Sequence, residues 1–222
     1  MSNFASFKND RTGLYFTQSV FLIDGGEYNN IESERGAIYL NRGRLFVRGV
    51  TFTNNKTQNG GALTLVGVAA VVRDSILTNN DKIGTCESSP DCASCDTVPI
   101  CGGGAIQQVG GSLELIKNNF QNNDVGNDGR GGALALLNVL LVASENVFRG
   151  NTSVEAGGAV YSSSGQAVFF DNLFESNGIE IPYPSRISGG AIATEETALT
   201  LVSNIFKRNS LQGFQGTIGG TI

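Results

Sequence analysis

Six segments of this chain open on Gly-Ala, at Ala37, Ala62, Ala105, Ala133, Ala159 and Ala191, and close on Asn55, Asn80, Asn123, Asn151, Asn177 and Asn209. The separation from alanine to asparagine is 18 residues in all six, and five of the alanines follow two glycines. Three residues before each asparagine stands Phe52, Leu77, Phe120, Phe148, Phe174 or Phe206. The spacers between units vary, at 4, 22, 7, 5 and 11 residues. A fixed unit with elastic spacers is how a solenoid behaves, because insertions leave the stack at one corner without disturbing it.

The period inside the unit is two. Counting alanine as zero, position +1 is Ile38, Leu63, Ile106, Leu134, Val160 or Ile192. Position +8 is Leu45, Ala70, Leu113, Leu141, Ala167 or Leu199, and +10 is Val47, Val72, Leu115, Ala143, Phe169 or Leu201. Position +12 turns polar, with Asp74, Lys117, Glu145, Asp171 and Ser203. That alternation describes strands rather than helices. A rung this short cannot bury its own apolar face, so rungs must stack in register at the strand spacing of about 4.8 Å. The sequence therefore predicts an all-β chain: a right-handed parallel β-helix of about six to seven rungs, with three short strands per rung. Its phenylalanines should pile into an internal aromatic column and its asparagines into an amide ladder. A second amide ladder is expected at +13, through Ser75, Asn118, Asn146, Asn172 and Asn204. The paired glycines should supply backbone angles closed to other residues, or close approach at the corner.

Residues 1–35 fit the unit poorly and are expected to form a degenerate first rung or N-terminal cap, with 36–222 as the coil proper. Gly219-Gly220-Thr221-Ile222 reads as a truncated seventh repeat. An open strand edge invites pairing, so continuation of the coil beyond Ile222, or cover by another chain, is expected.

The pattern Gly-Gly-Ala-Ile/Leu/Val with Phe-x-x-Asn resembles the repeat of the chlamydial polymorphic membrane proteins. The stretch from Phe148 through Asn151, Gly157-Gly158-Ala159-Val160 and Tyr161 resembles it most. Similar repeats occur in large surface proteins of algae and other protists, within the broad pectin-lyase-like β-helix superfamily. The resemblance covers residues 36–209. It implies a secreted, surface-displayed passenger acting in adhesion. The chain departs from those proteins in having Leu77 in the phenylalanine column and no outer-membrane β-barrel.

All four cysteines, Cys86, Cys92, Cys95 and Cys101, fall in the longest insertion, at 81–102. Such clustering suggests two disulfides stapling a loop in an oxidising compartment. A four-cysteine zinc site is the competing reading, although only one Cys-x2-Cys hook is present, and free thiols are the third. Two glycosylation sequons, Asn55-Lys-Thr57 and Asn151-Thr-Ser153, sit on ladder asparagines, so neither is expected to carry sugar.

Charge and composition narrow the function. With 15 Lys+Arg against 20 Asp+Glu, a nucleic-acid partner is excluded on electrostatic grounds. No run of about 18 apolar residues is present to cross a membrane as a helix. The opening Met1–Lys8 lacks an apolar signal region, which by itself suits a cytosolic protein; the clustered cysteines and the truncated repeat at the C-terminus favour a piece of a longer secreted chain instead. There is no histidine for serine- or cysteine-based nucleophilic chemistry. Glu145 and Asp171, both at +12, make the best carboxylate pair or calcium candidate, and a solvated polar row is the plainer account. Arg48 and Arg73 align at +11 as a potential anion contact, and Tyr39, Tyr161 and Tyr183 as potential sugar-stacking rings. The outward row at +9 and +11 is more apolar than a solvated strand requires, through Phe46, Val71, Val142, Val168 and Phe170. The expectation is a non-enzymatic extracellular or cell-surface β-helix, a rigid adhesion or assembly module without a cofactor or metal. Its partner would be a protein or a neighbouring copy. The alternative is a carbohydrate-binding or polysaccharide-cleaving β-helix.

Overall fold

A computed structural model describes residues 6–8, 13–83, 102–126, 129–180 and 189–212. The four cysteines, Tyr183 and the residues 219–222 lie outside the described residues. Among the described residues every strand pairing is parallel, and they wind into a parallel β-helix of seven turns with three sides.

The first side is a long sheet. Its strands run 11 residues in the first four rungs, Leu14–Asp24, Ile38–Arg48, Leu63–Arg73 and Ile106–Ile116. From the fifth rung each divides into two pieces, Leu134–Leu137 with Leu140–Ser144, Val160–Ser163 with Gln166–Phe170, and Ile192–Glu195 with Ala198–Val202. The second side is an 8-stranded sheet of three-residue strands, from Ser6–Lys8 to Ile205–Lys207. The third side carries two short sheets, which Asp124 links through parallel bridges to Asp81 and Thr152.

Each rung turns at left-handed residues that recur at +5, +12 and +17. Their φ angles in the fifth rung are 54° at Asn138, 54° at Glu145 and 62° at Gly150. That region is costly for most L-residues and easiest for Gly, Asn and Asp, which explains much of what these columns hold. The polar row at +12 is thus a corner, not the end of a strand.

In four of the five pairs the two glycines divide their work. The first takes a positive φ, 67° at Gly131 and 63° at Gly157, whereas Gly60 does not. The second lets rungs touch: a Cβ on Gly132 would lie 2.3 Å from the Thr152 carbonyl oxygen and 2.4 Å from that of Gly158. No side chain fits there without opening the stack.

Inside, like residues stack. Phe120, Phe148, Phe174 and Phe206 form one column with centroids 4.8, 4.8 and 4.9 Å apart and nearly parallel planes. Leu77 interrupts it, and Phe52 and Tyr28 continue it on the far side at 5.1 Å. The first rung follows the same register although its sequence does not match: Phe21 pairs with Leu45, Ile23 with Val47 and Tyr28 with Phe52.

The asparagine ladders saturate their own amides. The Asn123 Nδ2 donates to the Asn151 Oδ1 at 2.9 Å and to the Leu77 carbonyl at 2.9 Å. The Asn151 Oδ1 also accepts the backbone N–H of Asn123 at 3.1 Å. This geometry repeats from Asn55 to Asn209. The +13 column does the same through Asn118, Asn146, Asn172 and Asn204, with the Ser75 hydroxyl accepting from the Val50 N–H at its start. A buried amide with both donors and its acceptor used avoids the 1–3 kcal/mol, roughly, that each unmet group would cost. An aspartate lacks the donors, so asparagine is required.

Candidate partner-binding face

The left-handed corner at +5 divides the outer surface of the long sheet into two halves. Residues before it, at +2 and +4, form one half; residues after it, at +7, +9 and +11, form the other. Alternation places both sets outward. Their environments differ completely.

The first half is covered in the later rungs. Ala135, Tyr161 and Ala193 pack into a second apolar cluster with Leu137 and Ala156, and Tyr161 is only 3% exposed. Arg130 closes this cluster. Its guanidinium lies over the Tyr161 ring, 4.9 Å from the centroid, and donates to the Glu155 carboxylate at 2.8 Å and to the Tyr161 hydroxyl at 2.6 Å. The Tyr161 hydroxyl in turn donates to Glu195 at 2.6 Å. Burial works against the charge on Arg130, but the bonds to Glu155 and Tyr161 outweigh it and hold the guanidinium above its ordinary range. Burial, and then the bond to Glu195, raises the Tyr161 phenol. Tyr161 is therefore structural and presents no face to a sugar. At the first two rungs the arrangement is more open: Tyr15 and Tyr39 stack at 4.8 Å with the Arg35 guanidinium over both rings.

The second half is open along the stack. The +9 column runs Leu22, Phe46, Val71, Glu114, Val142 and Val168 across consecutive rungs in strict register. Leu22 is 64% exposed, and Phe46 and Val142 are each 41% exposed. Phe170, in the neighbouring +11 column, is half-buried. A shallow groove of about 460 Å³ runs over Leu22, Phe46, Val71 and Ile116. Polar groups edge it. Arg48 grips Asp24 in a two-pronged ion pair, which holds the Asp24 carboxyl below its usual range. The anion-contact reading of the +11 arginines is thereby halved, since Arg48 is already engaged. Among the described residues, neither Arg73 nor Glu114 makes an ion pair or a side-chain hydrogen bond.

A polar groove of about 560 Å³ lies on the third side, lined by Asn54, Asn79, Asn122, Lys56, Asp81 and Asp124. Asp81 is partly buried beside Asp124, one rung away. Burial first, and the Asp124 carboxylate second, push its pKa up to about 6, with Lys56 and Lys82 opposing. Asp124 accepts the Thr152 hydroxyl at 2.8 Å, whereas the buried Oδ1 of Asp81 has no partner. These two carboxylates fall in spacers, where no repeat pattern flags them.

Glu145 and Asp171 sit at the +12 corner, exposed, each with positive φ. Glu145 pairs with Lys117 at 3.5 Å. Among the described residues no group of three or more acidic or cysteine side chains is placed to hold a metal. Asn55 and Asn151 are fully buried with their amide nitrogens engaged, so neither sequon is reachable in the folded chain.

Comparison with known proteins gives one family match. A model described as the Chlamydia polymorphic membrane protein (Chlamydia_PMP) repeat matches residues 49–64. That segment runs from the corner at Gly49 through Phe52 and Asn55 to the glycine pair and the start of the next long strand. It is the passage where the rung closes and the next begins. No curated protein and no solved structure matches.

Proposed function

We propose that this chain is a rigid, non-enzymatic module of an extracellular or cell-surface protein, and that it meets a protein partner through the open half of its long sheet. The observation that carries this reading is the apolar +9 column. Leu22, Phe46 and Val142 stand exposed on a frame whose interior is fixed by continuous amide and aromatic ladders. An outward apolar row, broken only by Glu114 from Leu22 to Val168, marks an interaction site on an acidic chain. The matched repeat supports a surface location, because it belongs to a family of membrane-associated surface proteins.

The test is competition. Purified wild-type chain should block attachment of cells bearing the protein to their target surface. A Phe46→Ser/Val142→Ser variant, folded by circular dichroism, should block poorly. Equal competition by the two would overturn the reading. Mass measurement with and without reductant would decide whether Cys86, Cys92, Cys95 and Cys101 are joined in disulfides.

A second reading has its own observation. The polar groove beside Asp81 and Asp124, walled by outward carboxamides, suits a carbohydrate better than an apolar peptide. Binding to neutral and acidic polysaccharides, lost in Asp81→Asn but kept in the Phe46 variant, would favour it. Cleavage of those polysaccharides, lost on substituting Glu145 and Asp171, would make the chain an enzyme.

A further inference from the structure

The open half of the long sheet is nearly self-complementary, and we propose that its partner is a second copy of this chain, packed face to face and antiparallel. The proposal rests on reading this half-face as the contact surface and goes on to name what covers it.

The argument starts from charge. Arg73 and Glu114 are exposed, lie on adjacent rungs, and have no ion-pair partner among the described residues. They occupy the two central rungs of the six that run from Leu14–Asp24 to Gln166–Phe170. On either side the +9 column is apolar, with Leu22 and Phe46 before it and Val142 and Val168 after. An isologous interface must present the same patch twice. Two sheets can face each other about a two-fold axis parallel to the coil or across it. A parallel axis sets Glu114 against Glu114 of the other copy and brings Arg44 towards its Arg48. A crosswise axis between the third and fourth rungs reverses the rung order. Glu114 then meets Val71 and reaches Arg73 on the diagonal, twice by symmetry. Phe46 then faces Val142, and Leu22 faces Val168. Of the two, only this arrangement brings each Glu114 within diagonal reach of an Arg73, and it keeps Phe46 and Leu22 against apolar side chains of the other copy.

The area is sufficient. Six rungs at the strand spacing and about 20 Å of strand width give roughly 600 Å² per copy, near the lower end of specific interfaces. The dimer is therefore reversible and concentration-dependent.

Sedimentation velocity across a concentration series tests it. The wild type should pass from monomer to dimer, and added salt should weaken the dimer. Glu114→Arg and Arg73→Glu should each weaken association about tenfold or more, because like charges then meet at the axis. The combined variant reverses both partners and should return to within a few-fold of wild type. Unchanged thermal midpoints will show that these outward substitutions leave the fold intact. A wild type that stays monomeric, single variants that associate as well as wild type, or a combined variant that is not rescued would each overturn the proposal. The functional reading is tested separately. If the Phe46→Ser/Val142→Ser variant competes poorly for attachment while the wild type is monomeric, the dimer is overturned and the face contacts a different protein. Equal competition by variant and wild type overturns the functional reading itself.

Discussion

The two halves of the long sheet's outer surface share the same rungs, the same alternation and the same interior, yet in the later rungs one is covered and the other is open. Before the +5 corner, Tyr161 is buried beneath Arg130, and the carboxylates of Glu155 and Glu195 take up the remaining polar groups. After it, Phe46 and Val142 project into solvent, and among the described residues Arg73 and Glu114 make no ion pair there. The difference arises outside the repeat unit. Arg130 and Glu155 belong to spacers, and among the described residues they return over the half of the sheet that holds Tyr161. An apolar outward residue is therefore buried on one side of a left-handed corner in the later rungs and exposed on the other.

The comparison assumes a common interior beneath both halves, and the largest effect should come from removing it. Phe148→Ala deletes a ring stacked at 4.8 Å on both Phe120 and Phe174. A loss of about 3–5 kcal/mol is expected in urea unfolding, with both halves melting together. If near-ultraviolet signals from Tyr161 persisted after the rest had unfolded, the two halves would be separate units. Arg130→Ala should cost about 1–3 kcal/mol, because it leaves Glu155 and the buried Tyr161 hydroxyl short of a partner. The same substitution at Arg73 should cost almost nothing, which sharpens the contrast.

Asp81 lies on neither half and serves as an internal reference. Its folded pKa, about 6, stands above the ordinary carboxyl value, so the folded chain holds this proton to higher pH than the unfolded chain does. Its contribution is most favourable below about pH 4, declines as pH rises to about 6, and is constant above that. Thermal midpoints measured from pH 4 to 7 should show this decline, and Asp81→Asn should flatten it and stabilise the chain at neutral pH by about 1 kcal/mol. The smallest effect is expected at the open half. Phe46→Ser should change monomer stability by roughly 0.5 kcal/mol or less, as surface substitutions do. A cost comparable to that of Arg130→Ala would mean Phe46 is already covered within one chain, and the contrast between the halves would fail.

Much of the interior was legible in the residues alone. An 18-residue interval repeated six times places Phe148 above Phe120 and Asn151 above Asn123 without coordinates, because alike residues at a fixed interval can be buried only by stacking. The first rung was partly legible: Tyr28 takes a phenylalanine's place, but Ile31 stands where an asparagine would and only its backbone N–H joins the ladder. The corners were harder to see. Glu145 and Asp171 looked like a carboxylate pair because spacing reports neighbours and not backbone angle; their positive φ values mark them as turn residues. Asp81 with Asp124, and Arg130 with Tyr161, were invisible. Both carboxylates of the first pair and Arg130 of the second lie in spacers, and a spacer's path carries no period to read.

The sequence by itself determined the coil: its rung length, its parallel register and the two amide ladders, all consequences of local periodicity and of buried polar groups needing partners. Only the tertiary structure decided which outward residues remain outward. That outcome depends on where the variable spacers return across the sheet, a long-range packing choice that no repeat unit encodes.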